Sequence, residues 1–259
     1  YSGIACLTGN DDASNTELTY VRHWSGFDDP LDTSSSSSHS SSSSSSQKEE
    51  NIDVATLVAN EGRILTIEYS SMFVINSYVP NSGQGLKRLD YRTTIWDKQM
   101  GEYMRHLEKR KPVVLIGDLN VAYGILDIHN FYKRKGFPNE LMKEDVNEYI
   151  GLSQLKRQAG CTIIERNSFR QNILGNDFID TFRYFYPSSS GCFSYWSMRA
   201  GNRKVNRGLR LDYCIASKSM LLDEFHGNWG EERDQIYVTD SFICDDETHW
   251  PIFSDHCPI

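Results

Sequence analysis

Four short stretches carry side chains that could do chemistry together. GDLN (117–120) sets Asp118 two residues before Asn120, directly after the apolar run PVVLI (112–116). SDHCPI (254–259) places Asp255 beside His256, and RLDYCIAS (210–217) holds Asp212 inside an apolar run. SYVPNSG (77–83) delivers Tyr78 and Asn81 into a Pro-Asn-Ser-Gly loop. Carboxylates and carboxamides are oxygen donors suited to a hard cation such as Mg²⁺, which keeps several waters and meets phosphate. Histidine is a general base near neutral pH. An aspartate inside a strand needs a partner, and an imidazole that it orients is an economical one. Each stretch also has a plainer reading. Asp118 and Asn120 could form a turn capping the next segment, and Asp255–His256 an ordinary polar turn. Asp212 could pair with Arg210 or Arg207, Tyr78 could be a core tyrosine, and Asn81 a turn residue.

The elements that must position these groups are mostly strands. RILTIEY (63–69) and MFVINSYV (72–79) are β-rich runs around a short polar turn, which reads as a hairpin. PVVLIG is a buried strand, and its alternation predicts Asp118 and Asn120 on one face. Tyr91, Ile95, Met100, Met104 and Leu107 recur near helical spacing between Leu89 and Leu107. Arg166–Leu174 reads as a helix, CFSYWSM (192–198) and LRLDYCIAS (209–217) as strands, and 218–253 as turns with short strands. The pattern predicts an α/β sandwich of two packed sheets. Residues 34–46, SSSSSHSSSSSSS, are low-complexity sequence that buries too little apolar surface to order itself. The expectation is a surface loop over about 25–51, with His39 solvated, and a variable insertion over about 129–157.

Bulk properties narrow the classes. At 259 residues the chain can bury one large core, and it contains no apolar run of the roughly 18 residues needed to span a membrane. The six cysteines are scattered without a CxxC pair, which fits a reducing compartment rather than a disulfide framework or a zinc knot. A net charge of -8 disfavours indiscriminate coating of nucleic acid. From Lys156 to Arg210, however, ten basic residues stand against Glu165, Asp177 and Asp180, a local +7. That reversal points to a phosphate-facing surface.

Taken in order, SYVPNSG, GDLNVA, DTFR, SYWSMRAGNRKVNRGLRLDY and SDHCPI resemble the exonuclease III family of abasic-site DNA repair endonucleases, within the DNase I-like superfamily. The resemblance runs from YSGIACL to the last residue, interrupted by the serine loop and the 129–157 segment. It implies a four-layer α/β sandwich with the active site where the sheets splay. It implies a single domain over 1–259 and hydrolysis, dependent on Mg²⁺ with Mn²⁺ as a substitute, of the phosphodiester 5′ to an abasic site in double-stranded DNA. Side activities would be 3′-phosphodiesterase and 3′-5′ exonuclease, in base excision repair. Carried across, Asp118 and Asn120 would orient the attacking water and hold metal, and Asp255 and His256 would complete the metal and phosphate contacts. Asp212 would hold His256, which or Asp118 would be the base. Tyr78 would touch the phosphate near the leaving group. Asn81 would hold the DNA backbone, Gln84 would meet the DNA, and Tyr195, Leu209 and Leu211 would line a pocket for the flipped-out sugar. A monomer acting in the nucleus, or in mitochondria, is expected.

Departures accompany the likeness. Family members carry a WN-type strand and a metal-binding Glu in a QE strand ahead of YSG, whereas this sequence opens at Tyr1 and stops at Ile259. The expectation is therefore a fragment lacking its first strands and its last one. Tyr123 stands where a histidine is usual, Gln84 where animal members have an inserting arginine, and Leu209 where they have tryptophan. Two other readings remain open: a catalytically inactive nucleic-acid-binding relative, and another DNase I-like phosphoesterase.

Overall fold

The computed structural model describes residues 6–9, 19–27, 62–129, 157–221, 236–245, 254–257 and 259. The strands are β1 (Cys6–Gly9), β2 (Tyr20–Ser25), β3 (Ile64–Tyr69), β4 (Phe73–Ser77), β5 (Val113–Asp118), β6 (Phe178–Asp180), β7 (Asp212–Ser217) and β8 (Ile236–Asp240), of which β1, β2 and β6 were not expected from the sequence. Six of them form one mixed sheet in the order β2-β3-β4-β5-β7-β6, and β1 pairs with β8 in a second, two-stranded sheet. Only the β4–β5 neighbours run parallel; β5 and β7 are antiparallel.

Alternation assigns the two faces of the large sheet. Phe73, Ile75, Leu115, Tyr213 and Ile215 pack with the helices. Val74, Val114, Ile116, Cys214 and Ala216 pack toward Ile236 and Val238 of the second sheet. Both faces of β5 are thus covered, which is why its sequence is continuously apolar rather than alternating. The helical layer starts with a π-helical turn, Tyr91–Trp96, that runs into α1 (Asp97–Glu108). Met100, Tyr103, Met104 and Leu107 are buried along α1 at the i, i+3, i+4, i+7 spacing of one helix face. A second helix, α2 (Ile163–Ser168), starts at a reciprocal cap in which Thr162 Oγ1 accepts from Glu165 N and the Glu165 carboxylate accepts from Thr162 N. It continues as a π-helical turn, Phe169–Leu174. Among the described residues the layers are helix, sheet and sheet, a mixed α/β fold with two packed sheets.

Two expected strands differ. Residues 192–198 form no regular ladder. Ser194 N and Tyr195 N both donate to Leu209 O while Trp196 N donates to Asp255 O, so the segment divides its hydrogen bonds between two neighbours. The 209–217 strand starts only at Asp212, because Arg210 N turns aside to Asp127 O. The serine tract with His39, most of the 129–157 insertion, and much of 218–253 lie outside the described residues.

Gly117 is required where β4 and β5 approach. Its φ is +125°, and a Cβ there would stand 2.2 Å from Ser77 O. The glycine lets β5 reach its end against β4, and the next residue is Asp118.

Candidate active site

Antiparallel register places Asp118, the last residue of β5, directly opposite Asp212, the first of β7. By alternation both point to the face that carries Val114 and Cys214, toward the second sheet. The chain from 254 to 257 completes the group. Trp196 N donates to Asp255 O and Cys257 N to Ser194 O, each at 2.8 Å. These bonds hold His256 with Nδ1 2.8 Å from Asp212 Oδ2 and its ring centroid 5.0 Å from that of Tyr195. Ser194 Oγ accepts from the backbone N of Leu211 and Asp212, at 2.9 and 3.0 Å, and fixes the start of β7.

Strand alternation is not what brings Asn120 to Asp118. The strand stops at Asp118, and Asn120 takes the left-handed backbone, φ 49°. The chain folds back so that Asn120 N donates to Asp118 Oδ1 at 2.9 Å and Asn120 Nδ2 to Oδ2 at 3.1 Å. Nδ2 also donates to Val79 O, while Oδ1 accepts from Asn81 Nδ2 at 2.8 Å. Asn81 Oδ1 in turn accepts from Gly83 N. Asn120 therefore ties the GDLN turn to the PNSG loop, through bonds that period-two reasoning does not see.

The electrostatics follow from this crowding. Burial and the facing Asp212 charge push the Asp118 carboxyl up to about 7; His256, the Asn120 amide and Arg92 oppose that rise. Burial works against charge on the His256 imidazole, but its hydrogen bond to Asp212, with the charges of Asp212, Asp118 and Asp255, raises it overall. Arg210 is not the partner of Asp212. It is buried between Asp127 and Asp180, with Nη1 3.0 Å from Asp180 Oδ1 and Nε 2.8 Å from Asp127 Oδ1.

The other residues singled out from sequence distribute around this centre. Tyr78 is exposed just beyond β4, with Arg63 over its ring at 5.0 Å and Arg63 Nη1 donating to its carbonyl. Gln84 is exposed in the 3-10 turn Gln84–Leu86, beyond Asn81. Leu211 is buried with Ala122, Ile125, Ile128 and Cys161, and Tyr195 and Leu209 pack against that cluster. Asp255 is half-buried beside His256. The basic stretch divides. Arg166 and Arg210 are buried and Arg183 pairs with Asp127, whereas Arg157, Arg170, Arg199, Lys204 and Arg207 are exposed. The charge surplus read from sequence thus includes cations turned to the interior. Sequence reasoning missed Arg92, Ser194 and Asp127, whose surrounding residues carry no chemical signature.

Asp118, Asp212 and Asp255 offer hard oxygen donors, and two like charges set opposite one another are relieved by a cation. The donor chemistry suits a divalent ion. Among the described residues, no three of His, Cys, Asp and Glu stand close enough to enclose one.

A family model described as the Endonuclease/Exonuclease/phosphatase family matches residues 19–256. The chain is 34% identical over 205 residues to a DNA-(apurinic or apyrimidinic site) endonuclease of Dictyostelium discoideum, covering 77% of this chain and 45% of that protein. It is 35% identical over 199 residues to an exodeoxyribonuclease of Bacillus subtilis, covering 77% and 63%. The crystal structure of an AP endonuclease from Leishmania major superposes with a TM-score of 0.56 at 29% identity, over 76% of this chain and 53% of that one. The chain spans about half the length of the curated relatives it matches.

Proposed function

This chain belongs to the Endonuclease/Exonuclease/phosphatase family, and we propose that the protein it represents is a DNA repair endonuclease that hydrolyses the phosphodiester 5′ to abasic sites in duplex DNA. The observation that carries the reading is the facing pair Asp118 and Asp212, one bonded to Asn120 and the other to His256. Relatives named as abasic-site endonuclease and exodeoxyribonuclease support the substrate class. The family generally depends on a metal; Mg²⁺, with Mn²⁺ as substitute, is the ion proposed, and Asp118, Asn120, Asp255 and His256 would hold it. When bound, the ion neutralises phosphate charge as the transition state forms.

The chain's own groups divide the remaining work. Asp118, with its carboxyl near neutrality, takes the proton from a water that attacks phosphorus while the bond to the 3′-oxygen breaks. Asn120 holds that carboxylate in place. His256, oriented by Asp212 through Nδ1, faces the phosphate. Tyr78 contacts the phosphate near the departing 3′-oxygen, which takes a proton from solvent to become the 3′-hydroxyl. Asn81 and Gln84 sit along the DNA backbone. Tyr195, Leu209 and Leu211 offer an apolar wall that a base-free sugar fits and a full nucleotide overfills. The same centre acts on 3′-blocked ends as a 3′-phosphodiesterase and 3′-5′ exonuclease. The protein works as a monomer in the nucleus.

The test uses the full-length protein, a duplex with one tetrahydrofuran abasic analogue, and Mg²⁺ with and without EDTA. Single-strand incision 5′ to the analogue, lost with EDTA, is expected. No incision under either condition removes the proposal.

A further inference from the structure

Arg92 is 1% exposed, on the π-helical turn that precedes α1. Its guanidinium does not meet a carboxylate at hydrogen-bond distance: Nε stands 3.8 Å from Asp97 Oδ1. Its donors go to main-chain oxygens instead. Nη1 donates to Asn120 O and, at 3.5 Å, to Pro80 O, and Nη2 donates to Leu119 O. Burying a cation costs several kcal/mol unless it is well paired. Here that cost maintains contact with both loops of the candidate site.

We propose that Arg92 is a positioning residue that sets the Asp118–Asn120 pair by clamping the carbonyls of Leu119, Asn120 and Pro80 from beneath; the inference rests on the function proposed above. Asn120 adopts a left-handed backbone, which asparagine tolerates better than most residues with a Cβ but which is still less favourable than the ordinary right-handed one. Two of the three carbonyls that Arg92 grips belong to Leu119, just before that residue, and to Asn120 itself. With Asn120 fixed, its main-chain and side-chain N–H groups fix both oxygens of Asp118. The contact to Pro80 anchors the residue before Asn81, whose carboxamide reaches Asn120 from the other loop. A planar fork spans successive carbonyls, whereas an ammonium is a single point charge. Geometry, more than charge, is the part that lysine cannot supply.

The decisive comparison is Arg92→Lys against Asp97→Asn in the full-length protein, on the abasic duplex with Mg²⁺. Arg92→Lys is expected to lower kcat by about tenfold to a hundredfold, the scale of an ångström of misplacement, with KM within about twofold. Asp97→Asn, which alters the guanidinium's nearest carboxylate but not its grip on the carbonyls, is expected to lower Tm and leave kcat per folded molecule within about twofold. A wild-type kcat in Arg92→Lys, or an equal kcat loss in Asp97→Asn, overturns the proposal. If Arg92→Lys does not fold, the wild type decides: NMR of the Arg92 guanidinium should show slow rotation about the Cζ–Nη bonds, and free rotation overturns the clamp. That measurement stands even if the wild type cuts no abasic DNA, which would count against the function proposed and not against the clamp.

Discussion

At the scale of single residues, the candidate site is a set of groups each of which has its proton or orientation set by a neighbour. His256 has a partner on one ring nitrogen, and Asp118 has donors on both oxygens. Asp118→Asn and His256→Ala should each lower the incision rate by about 10²–10⁴-fold, the range of a proton-transfer or phosphate-stabilising group. Single-turnover incision measures this, and a rate near wild type for either variant removes its assigned role. The side chain of His256 is 25% exposed, so its loss should leave the thermal midpoint within a few degrees. The grouping of Asp118, Asn120, Asp212 and His256 was legible in the sequence because short polar words interrupt apolar runs. Arg92 and Asp127 were not. An arginine in LDYRTT and an aspartate in GILDI look like surface residues until the fold shows what surrounds them.

At the scale of elements, β5 and its partners set the register. The hairpin of β3 and β4 and helix α1 were readable from their residue pattern, and β5 from its continuous apolar run. The 192–198 segment was misread because its aromatic, β-prone residues divide their hydrogen bonds between 209 and 255–257, and propensity is silent on partners. Gly117→Ala should destabilise the protein by about 2 kcal/mol or more, from positive φ and the clash with Ser77 O. Urea unfolding tests this, and an unchanged midpoint would mean that β4 and β5 can separate freely at this point. Nearby, Arg210 and Arg183 hold the Asp127 carboxyl well below the ordinary carboxylate range, overcoming a burial that alone would raise it. A depressed folded value means stability that is present above the unfolded value of about 4 and is lost as pH falls toward the folded one. Asp127→Asn should cost about 3–5 kcal/mol at pH 7, the scale of a broken buried pair, and much less near pH 2. A loss equal at both pH values would refute the linkage.

At the scale of the molecule, a net charge of -8 coexists with exposed Arg199, Lys204 and Arg207 in one loop region. If these meet DNA phosphates, Lys204→Ala should weaken binding to duplexes of any sequence and reduce the slope of log K against log salt by about 1. Binding titrations between low and moderate salt measure that slope, and an unchanged one places Lys204 off the DNA.

The bond between His256 and Asp212 has a temporal side as well. Asp118 and His256 lie far apart along the chain, and the segment that carries His256 joins the site through Ser194 and Trp196. On a ribosome, β3 to β5 and α1 emerge before residues 254–257 and can gather a core, but the candidate site stays incomplete until those residues have been made and have docked. A nascent chain of this protein can therefore be folded over much of its length while Asp118 and Asp212 still lack His256. Completion of the group waits on that docking, and any delay between core formation and docking would appear as a lag behind the folding signal.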